Sequence, residues 1–80
     1  MNKLQETITV TEEPRKWGKP YTIINGVNRN GKQVCTKLKK IYACGGTYKK
    51  GAIMLQGSHS LYMKDALIGL GFDGTNIIVL

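Results

Sequence analysis

A segment that passes from lysines through paired glycines into an apolar run constrains the fold of this chain more than any other. Residues 39–57 read KKIYACGGTYKKGAIMLQG. We predict that a helix ends at Gly45 and Gly46, because glycine tolerates the left-handed backbone that commonly closes a helix. A short strand should follow, then a lysine-bearing tip at residues 49–51 and an apolar strand over residues 52–56. Core and surface therefore meet in this segment.

The length of the chain leaves room for one hydrophobic core. A chain of 80 residues buries only about 60% of its unfolded surface, which is too little for two cores. We therefore expect residues 1–80 to form one domain, with a short flexible N-terminus at residues 1–6. The composition, 41% hydrophobic and 21% charged, is that of a globular protein. Cys35 and Cys44 are too few for a disulfide framework, and small buried thiols are favoured over a bridge or a ligand pair.

The sequence predicts a cytoplasmic protein without a membrane partner. No apolar run approaches the roughly 18 residues that a membrane-spanning helix requires. The first residues, MNKLQET, also lack the apolar segment of a secretory signal peptide.

Hydrophobic periodicity predicts the element order ββαββαβ. Period-two alternation indicates strands, and an apolar position every three or four residues indicates helices. The predicted strands cover residues 6–11, 21–25, 47–48, 52–56 and 76–80, and the predicted helices cover residues 32–43 and 58–70. This order favours an α+β two-layer sandwich, with two helices on one face of a mostly antiparallel five-stranded sheet.

The apolar positions of these elements define the predicted core. They are Val34, Cys35, Leu38, Ile41, Tyr42, Ala43, Cys44, Ile53, Leu55, Met63, Ala66, Leu67, Leu70 and Phe72. The last strand should be buried on both faces or lie centrally in the sheet, because its apolar run is continuous. Ser58 or Ser60 is expected to cap the second helix, and Gly71 to end it.

The distribution of charge is more informative than the net charge of +7. Ten of the twelve basic residues and none of the five acidic ones lie between Arg15 and Lys50. Such segregation favours a polyanionic partner over a surface that is merely solvated, because lysine and arginine that neutralise phosphates gain from counterion release.

The basic residues fall into three groups. The first basic tip comprises Arg15, Lys16 and Lys19, with Trp17 among them. The helix lysines are Lys37, Lys39 and Lys40, and the second basic tip comprises Lys49 and Lys50. Trp17 is suited to stacking on a base, although folding back over the sheet edge is an equally good interpretation. Lysine predominates over arginine, which favours contacts with an RNA backbone over readout of bases.

The sequence offers little for catalysis. His59 is the only histidine, so no histidine-based metal site can be assembled, and no cofactor or metal is predicted. Ser58 and Ser60 flank His59, but neighbouring residues at a helix start point in different directions and form no triad by adjacency. The glycines match neither common phosphate-binding loop, and no paired acids sit in a likely cleft. We therefore expect no enzyme activity.

Two motifs resemble the central signature of the translation initiation factor 1 family. They are KKIYACGGT at residues 39–47 and LQGSH at residues 55–59, and the family has lysines running into Phe-Ala-Cys-Gly/Asn-Gly-Thr and a strand ending Leu-Gln-Gly-Asp. RKWGK at residues 15–19 is similar to the basic first hairpin of that family, and Gly71 with Phe72 matches the end of its second helix. The resemblance extends over roughly residues 8–80.

The resemblance implies a non-enzymatic, monomeric factor that binds small-subunit ribosomal RNA near the peptidyl site and promotes accurate start-codon selection. By position, the cations of the first basic tip would face the decoding region, and Lys37 and Lys40 would contact the rRNA backbone. The second basic tip would lie towards the initiator tRNA. Other initiation factors are possible partners on the same grounds.

Departures from the family pattern leave other roles open. Ser58 stands where the family has Asp, and Leu61, Tyr62 and Ile68 could form an apolar contact surface on the second helix. One alternative is a ribosome-binding factor of recycling, reinitiation or stress. Another is a general RNA-binding or protein-interaction module without a role in start-codon selection.

Overall fold

The described part of the chain folds into two helices packed on a sheet. The computed structural model describes residues 7–14 and 19–80. In these residues the strands are β1 (Ile8–Glu13), β2 (Tyr21–Asn25), β3 (Gly46–Lys49), β4 (Ala52–Gln56) and β5 (Ile77–Val79), and the helices are α1 (Gly31–Tyr42), α2 (Ser60–Gly69) and a 3-10 turn, Gly74–Asn76. The α+β class and the element order ββαββαβ are confirmed.

The sheet has the strand order β3-β4-β2-β1-β5. Neighbouring strands are antiparallel except for β1 and β5, which run parallel. The register aligns Val10 with Ile24 and Ile24 with Ile53, and all three side chains are fully buried. Because side chains alternate along a strand, this alignment gives the sheet one continuous apolar face.

Both helices bury their apolar side chains against that face. Helix α1 contacts β3 and β4, and α2 contacts β1 and β5. The inward side chains include Leu38 of α1 with Met63 and Leu67 of α2, none of which has measurable solvent exposure. Each helix therefore covers a different half of the sheet, and one core joins them.

The predicted core was wrong at Ile41 and Ala43. The Ile41 side chain is 53% exposed, and Ala43 is also exposed. The buried stripe of α1 runs through Cys35 and Leu38 to the half-buried Tyr42. This direction places Ile41 on the opposite flank of the stripe, since residues one apart on a helix point about 100° away from each other.

The prediction that the last strand is buried on both faces or central was also wrong. Among the described residues, β5 is an edge strand that pairs only with β1. Ile77 is buried, whereas Ile78 and Val79 are 46% and 41% exposed and Leu80 is 76% exposed. A run of apolar residues does not show whether another element packs over them. At this sheet edge only the residue beneath α2 is covered.

The glycine pair does not close α1 as predicted. The left-handed residue is Ala43, with φ of 52°, and neither Gly45 nor Gly46 has positive φ. The Ala43 and Cys44 amides donate to the carbonyls of Lys40 and Lys39 at 3.3 and 3.0 Å, the bonds of a Schellman motif. Gly46 is needed for a different reason, since an added Cβ would lie 2.6 Å from the Met54 carbonyl oxygen.

The cap of α2 comes from another strand, which corrects the predicted serine cap. Neither serine side chain caps a backbone amide. Instead, a Glu12 carboxylate oxygen on β1 accepts hydrogen bonds from the Ser58 hydroxyl at 2.8 Å, the Ser60 hydroxyl and the Ser60 amide at 3.2 Å. These bonds hold the pKa of Glu12 below its usual range. A negative charge therefore lies at the N-terminus of α2, where the helix dipole favours it.

Candidate nucleic-acid interface

The predicted RNA-binding residues are only partly within the described structure. Arg15, Lys16 and Trp17 lie outside the described residues. The described members of the set are all exposed, and they are Lys19, Lys37, Lys40, Lys49 and Lys50.

The helix lysines project from the side of α1 that faces away from the sheet. Lys37 and Lys40 are exposed, while Val34 and Leu38 on the opposite side are buried. Lys32 is exposed as well and extends this surface by more than a turn, although the sequence analysis did not single it out. Lys39 is half-buried at the flank. Within residues 7–14 and 19–80, the ammonium groups of these exposed lysines form no ion pair or hydrogen bond.

The second basic tip is a tight two-residue turn fixed to the body of the protein. Lys50 and Gly51 join β3 to β4 with φ of 49° and 81°, as in a type I′ turn. The Gly51 carbonyl oxygen accepts the amides of Gly26 and Val27 at 3.1 and 3.0 Å. Lys50 thus occupies a left-handed conformation that costs a lysine about 1–2 kcal/mol relative to a glycine.

Lys19 and the second basic tip lie at opposite ends of the sheet. Tyr21 pairs with Gln56, whereas Asn25 pairs with Ala52. Lys19 precedes Tyr21, so it lies where β4 ends, while the second basic tip lies where β4 begins. The structure therefore does not bring the described lysines into one cluster.

Helix α1 connects these two ends. Its first residue, Gly31, packs against the Tyr48 ring next to the second basic tip. Its last turn leads into Cys44, which lines a cleft together with Lys19. A helix of 12 residues is about 18 Å long. The exposed lysines consequently form a band along α1, with Lys19 beyond one end and the second basic tip beyond the other.

The described acidic residues leave this band positive. Glu12 is bound to the start of α2, and Asp73 accepts hydrogen bonds from the amide and hydroxyl of Thr75 at 3.0 and 2.8 Å. The hydrogen bonds of Thr75 lower the pKa of Asp73. Glu13 and Asp65 are exposed on β1 and α2. None of the four lies on α1 or in the second hairpin.

An open cleft lies beside Lys19. The described residues that line it are Lys19, Pro20, Tyr21, Cys44, Gln56 and Gly57, and its volume is about 400 Å³. Sequence reasoning missed this cleft because its walls come from three separate segments. The alternation in β2 and β4 would have shown that Tyr21 and Gln56 point away from the core, since Thr22 and Leu55 beside them are fully buried.

The serines beside His59 form no catalytic arrangement with it. Both hydroxyls donate to Glu12, and the Gln56 carbonyl oxygen accepts a hydrogen bond from His59 Nε2 at 2.8 Å. The imidazole also packs on the Tyr42 ring, with centroids 4.6 Å apart. His59 therefore fastens the α2 start to the α1 end.

Nowhere in residues 7–14 and 19–80 do three His, Cys, Asp or Glu side chains come close enough to hold a metal ion. No described helix is both long and apolar enough to cross a membrane. Burial raises the pKa of the Cys35 and Cys44 thiols, so both are neutral at pH 7.

Comparison with known proteins identifies the family. The family described as translation initiation factor SUI1 matches residues 4–73. A protein translation factor SUI1 homolog of Hyperthermus butylicus is 41% identical over 78 residues, which cover 94% of this chain and 76% of the relative. The homolog of Ignicoccus hospitalis is 42% identical over 78 residues, with 94% and 75% covered. That of Sulfolobus acidocaldarius is 37% identical over 83 residues, with 100% and 84% covered. The chain therefore belongs to the SUI1 family of translation initiation factors.

Proposed function

We propose that this protein binds small-subunit ribosomal RNA near the peptidyl site and promotes accurate start-codon selection without catalysing a reaction. In this proposal the helix lysines Lys37 and Lys40 contact the RNA backbone. Lys19, together with Arg15, Lys16 and Trp17, faces the decoding region, and Lys49 and Lys50 lie towards the initiator tRNA. The protein acts in the cytoplasm as a monomer.

The observation that carries the proposal is the lysine band along α1. Its described ammonium groups have no carboxylate partner in the protein, so nothing within the described residues competes with a phosphate for them. Lysines at this spacing suit tracking of a charged backbone, because each acts as a point charge without the planar geometry used to read bases. Family membership supplies the ribosomal context.

Lys50 supports the same proposal independently. Asparagine or glycine would fit its left-handed position with less strain. A residue that is unfavourable for the turn and carries a positive charge is best explained by a use for that charge.

In this proposal the protein acts by occupying a site on the small subunit and not by catalysing a reaction. A protein bound beside the peptidyl site would disfavour initiator tRNA on a mismatched codon by competing for the space that the settled tRNA takes. Correct pairing would supply the free energy that displaces the protein. The affinity must therefore be moderate and reversible, as expected for contacts that depend strongly on ionic strength.

Co-sedimentation with purified small ribosomal subunits tests the binding. We expect the protein to sediment with the subunits at about 0.15 M ionic strength and to be released as the salt concentration rises. Lys37→Glu and Lys40→Glu should each weaken binding about tenfold. Lys64→Glu, the same exchange at an exposed position of α2, should change it less than twofold. Equal losses in all three variants would indicate diffuse attraction, and failure of the wild type to sediment would contradict the proposal.

A start-codon reporter tests the functional part. Depletion of the protein should raise initiation at near-cognate codons, and Lys50→Asn, which keeps the turn but removes its charge, should do so more weakly. Unchanged codon use together with intact subunit binding would favour a recycling, reinitiation or stress factor.

A protein-interaction module is a second candidate, and one observation favours it. On the outer face of α2, Leu61 is 80% exposed, Tyr62 66% and Ile68 45%. Helical spacing puts Leu61 and Ile68 on one stripe with Tyr62 beside it. Strong binding to unrelated single-stranded RNA without preference for subunits would also point to a general module.

A further inference from the structure

The cleft beside Lys19 has the construction of a binding site for a single planar group. Tyr21 and Gln56 are cross-strand partners in β2 and β4, and they stand on the sheet face opposite the core. Cys44 and Gly57 belong to the connections after α1 and before α2. A volume of about 400 Å³ lies at the lower end of the roughly 300–1,000 Å³ found for small-molecule sites. It suits one nucleotide and excludes a duplex.

The walls of the cleft combine apolar and polar surface in similar amounts, and most of their side chains are neutral. Tyr21 is half-buried and presents an aromatic ring, and Pro20 adds apolar surface beside it. The Cys44 thiol stays protonated, because burial raises its pKa. Lys19 is the one charged side chain among the described residues that line the cleft. The ligand is thus expected to combine a flat apolar body with a negative group at the mouth.

The backbone around the cleft is already hydrogen-bonded within the protein. The Gly57 amide donates to the Pro20 carbonyl at 2.9 Å, and the Gly57 carbonyl accepts the Thr22 hydroxyl at 2.8 Å. The Gln56 amide donates to Gly45 at 2.9 Å, and its carbonyl accepts from His59. Recognition of a ligand edge therefore falls to side chains.

The side-chain amide of Gln56 is available for that role. It makes no hydrogen bond within residues 7–14 and 19–80. It packs on the Gly45 backbone, since a Cβ added at Gly45 would lie 3.1 Å from its Cδ and Oε1 atoms. An amide offers an acceptor and donors side by side, which matches the adjacent amino group and ring nitrogen of adenine.

We propose that this cleft binds one unpaired adenine extruded from an RNA, with the base stacked on Tyr21, its edge bonded to Gln56 and its phosphate beside Lys19. The inference rests on the proposed function, because it specifies how the protein engages ribosomal RNA beyond the lysine band. Unpaired bases are what proteins read in RNA, since the bases of an RNA helix are hard to reach.

The cleft is a contact separate from the lysine band. Tyr21 and Gln56 stand on the sheet face opposite the core, whereas Lys37 and Lys40 project from the side of α1 that faces away from the sheet. The Cys44 wall follows the last turn of α1, and the Cys44 amide donates to the Lys39 carbonyl. The RNA segment that enters the cleft is therefore a different one from the segment along α1.

The test uses the full-length protein and short RNA hairpins. One hairpin carries a single bulged adenosine, a second carries a bulged uridine, and a third is fully paired. In a titration of 15N-labelled protein followed by NMR, we expect the bulged adenosine to shift the Gln56 side-chain amide and the Gly57 backbone amide. The paired hairpin should shift only resonances of α1. Identical shifts with the paired and bulged hairpins would overturn the inference.

Matched variants assign the contacts. Tyr21→Leu should weaken binding of the bulged-adenosine hairpin about tenfold, and Tyr21→Phe should restore it, because stacking needs only the ring. Gln56→Ala should reduce the preference for adenosine over uridine about tenfold. Tyr62→Leu and Asn25→Ala, at exposed positions outside the cleft, should leave both quantities within twofold. Equal losses for Tyr21→Leu and Tyr62→Leu, with folding verified by NMR, would overturn the inference.

These experiments distinguish failure of the cleft inference from failure of the proposed function. A protein that sediments with small subunits but shows no preference for bulged adenosine contradicts only the cleft. A protein that binds the bulged hairpin through Gln56 but does not sediment contradicts only the ribosomal proposal.

Discussion

Helices α1 and α2 pack on the same sheet but present opposite chemistry to solvent. The outer side of α1 carries Lys32, Lys37 and Lys40, whereas that of α2 carries Leu61 and Ile68. Each helix buries one stripe of residues, four in α1 and two in α2. Burial of a helix therefore fixes one face only, and the other face can carry cations, as on α1, or apolar side chains, as on α2.

The two helices also differ in what defines their ends. Helix α1 closes on itself through the Schellman bonds at Ala43 and Cys44. Helix α2 begins at a carboxylate that lies 48 positions away in the sequence, on β1. The end of α1 is thus a local property of the chain, whereas the start of α2 requires the sheet to be formed.

The largest expected effect separates the two faces of α2. Leu67→Ala should lower the free energy of unfolding by about 2–5 kcal/mol, because it leaves a cavity in the core. Leu61→Ala, the same exchange at an 80% exposed position, should change it by less than about 0.5 kcal/mol. Urea denaturation measures both. A large loss for Leu61→Ala would mean that a second copy or another segment covers the outer face.

The second effect tests the remote cap. Glu12→Gln should lower the free energy of unfolding by about 1–2 kcal/mol, because α2 loses its charged acceptor. Glu13→Gln is the control, since Glu13 is an exposed neighbour on the same strand whose side chain makes no hydrogen bond to the described residues. Equal effects of the two substitutions would show that the cap contributes only general charge.

The same carboxylate predicts a pH dependence. The pKa of Glu12 is lowered by its bonds to Ser60 and Ser58, so the folded state holds this proton less tightly than the unfolded state. Its contribution is complete above the unfolded pKa of about 4.3 and is lost as pH falls through the folded value. In denaturation at pH 7 and pH 3, the difference between wild type and Glu12→Gln should shrink at low pH. A constant difference would exclude titration of Glu12 as its source.

The smallest effects come from opposite substitutions at the two helix ends. Ala43→Gly should raise the free energy of unfolding by about 0.5–1 kcal/mol, because glycine adopts positive φ without strain. Gly69→Ala should raise it by a similar amount, since Gly69 is helical and an added Cβ meets nothing within 4 Å. Gly71→Ala should lower it, because Gly71 has φ of 107°. Thermal unfolding of the three variants checks the signs.

The sequence predicted the helices and strands well, but it predicted less well which of their side chains are buried. Alternation identified β1, β2 and β4, because period two depends only on neighbouring residues. Ile41 and the residues after Ile77 were misassigned since an apolar side chain is buried only if another element lies over it. Glycine adopts the left-handed conformation most readily, so the sequence predicts glycine in that conformation at the end of α1, yet Ala43 occupies the position.

Some features of the candidate site are also predictable from the sequence, and others are visible only in the structure. The segregation of the lysines and the family motifs can both be identified in the sequence. The separation of Lys19 from the second basic tip depends on the pairing of β2 with β4, which no local pattern specifies. The cleft between Tyr21, Cys44 and Gln56 has the same origin.

What the sequence determined by itself was the order of elements, the family and the concentration of positive charge between residues 15 and 50. Each follows from local spacing or from residue identity. The tertiary structure alone decided which apolar side chains remain exposed, that Glu12 caps α2, and that three distant segments enclose a cleft. These features depend on which surfaces meet across the sheet, and such contacts are fixed by packing of the whole chain.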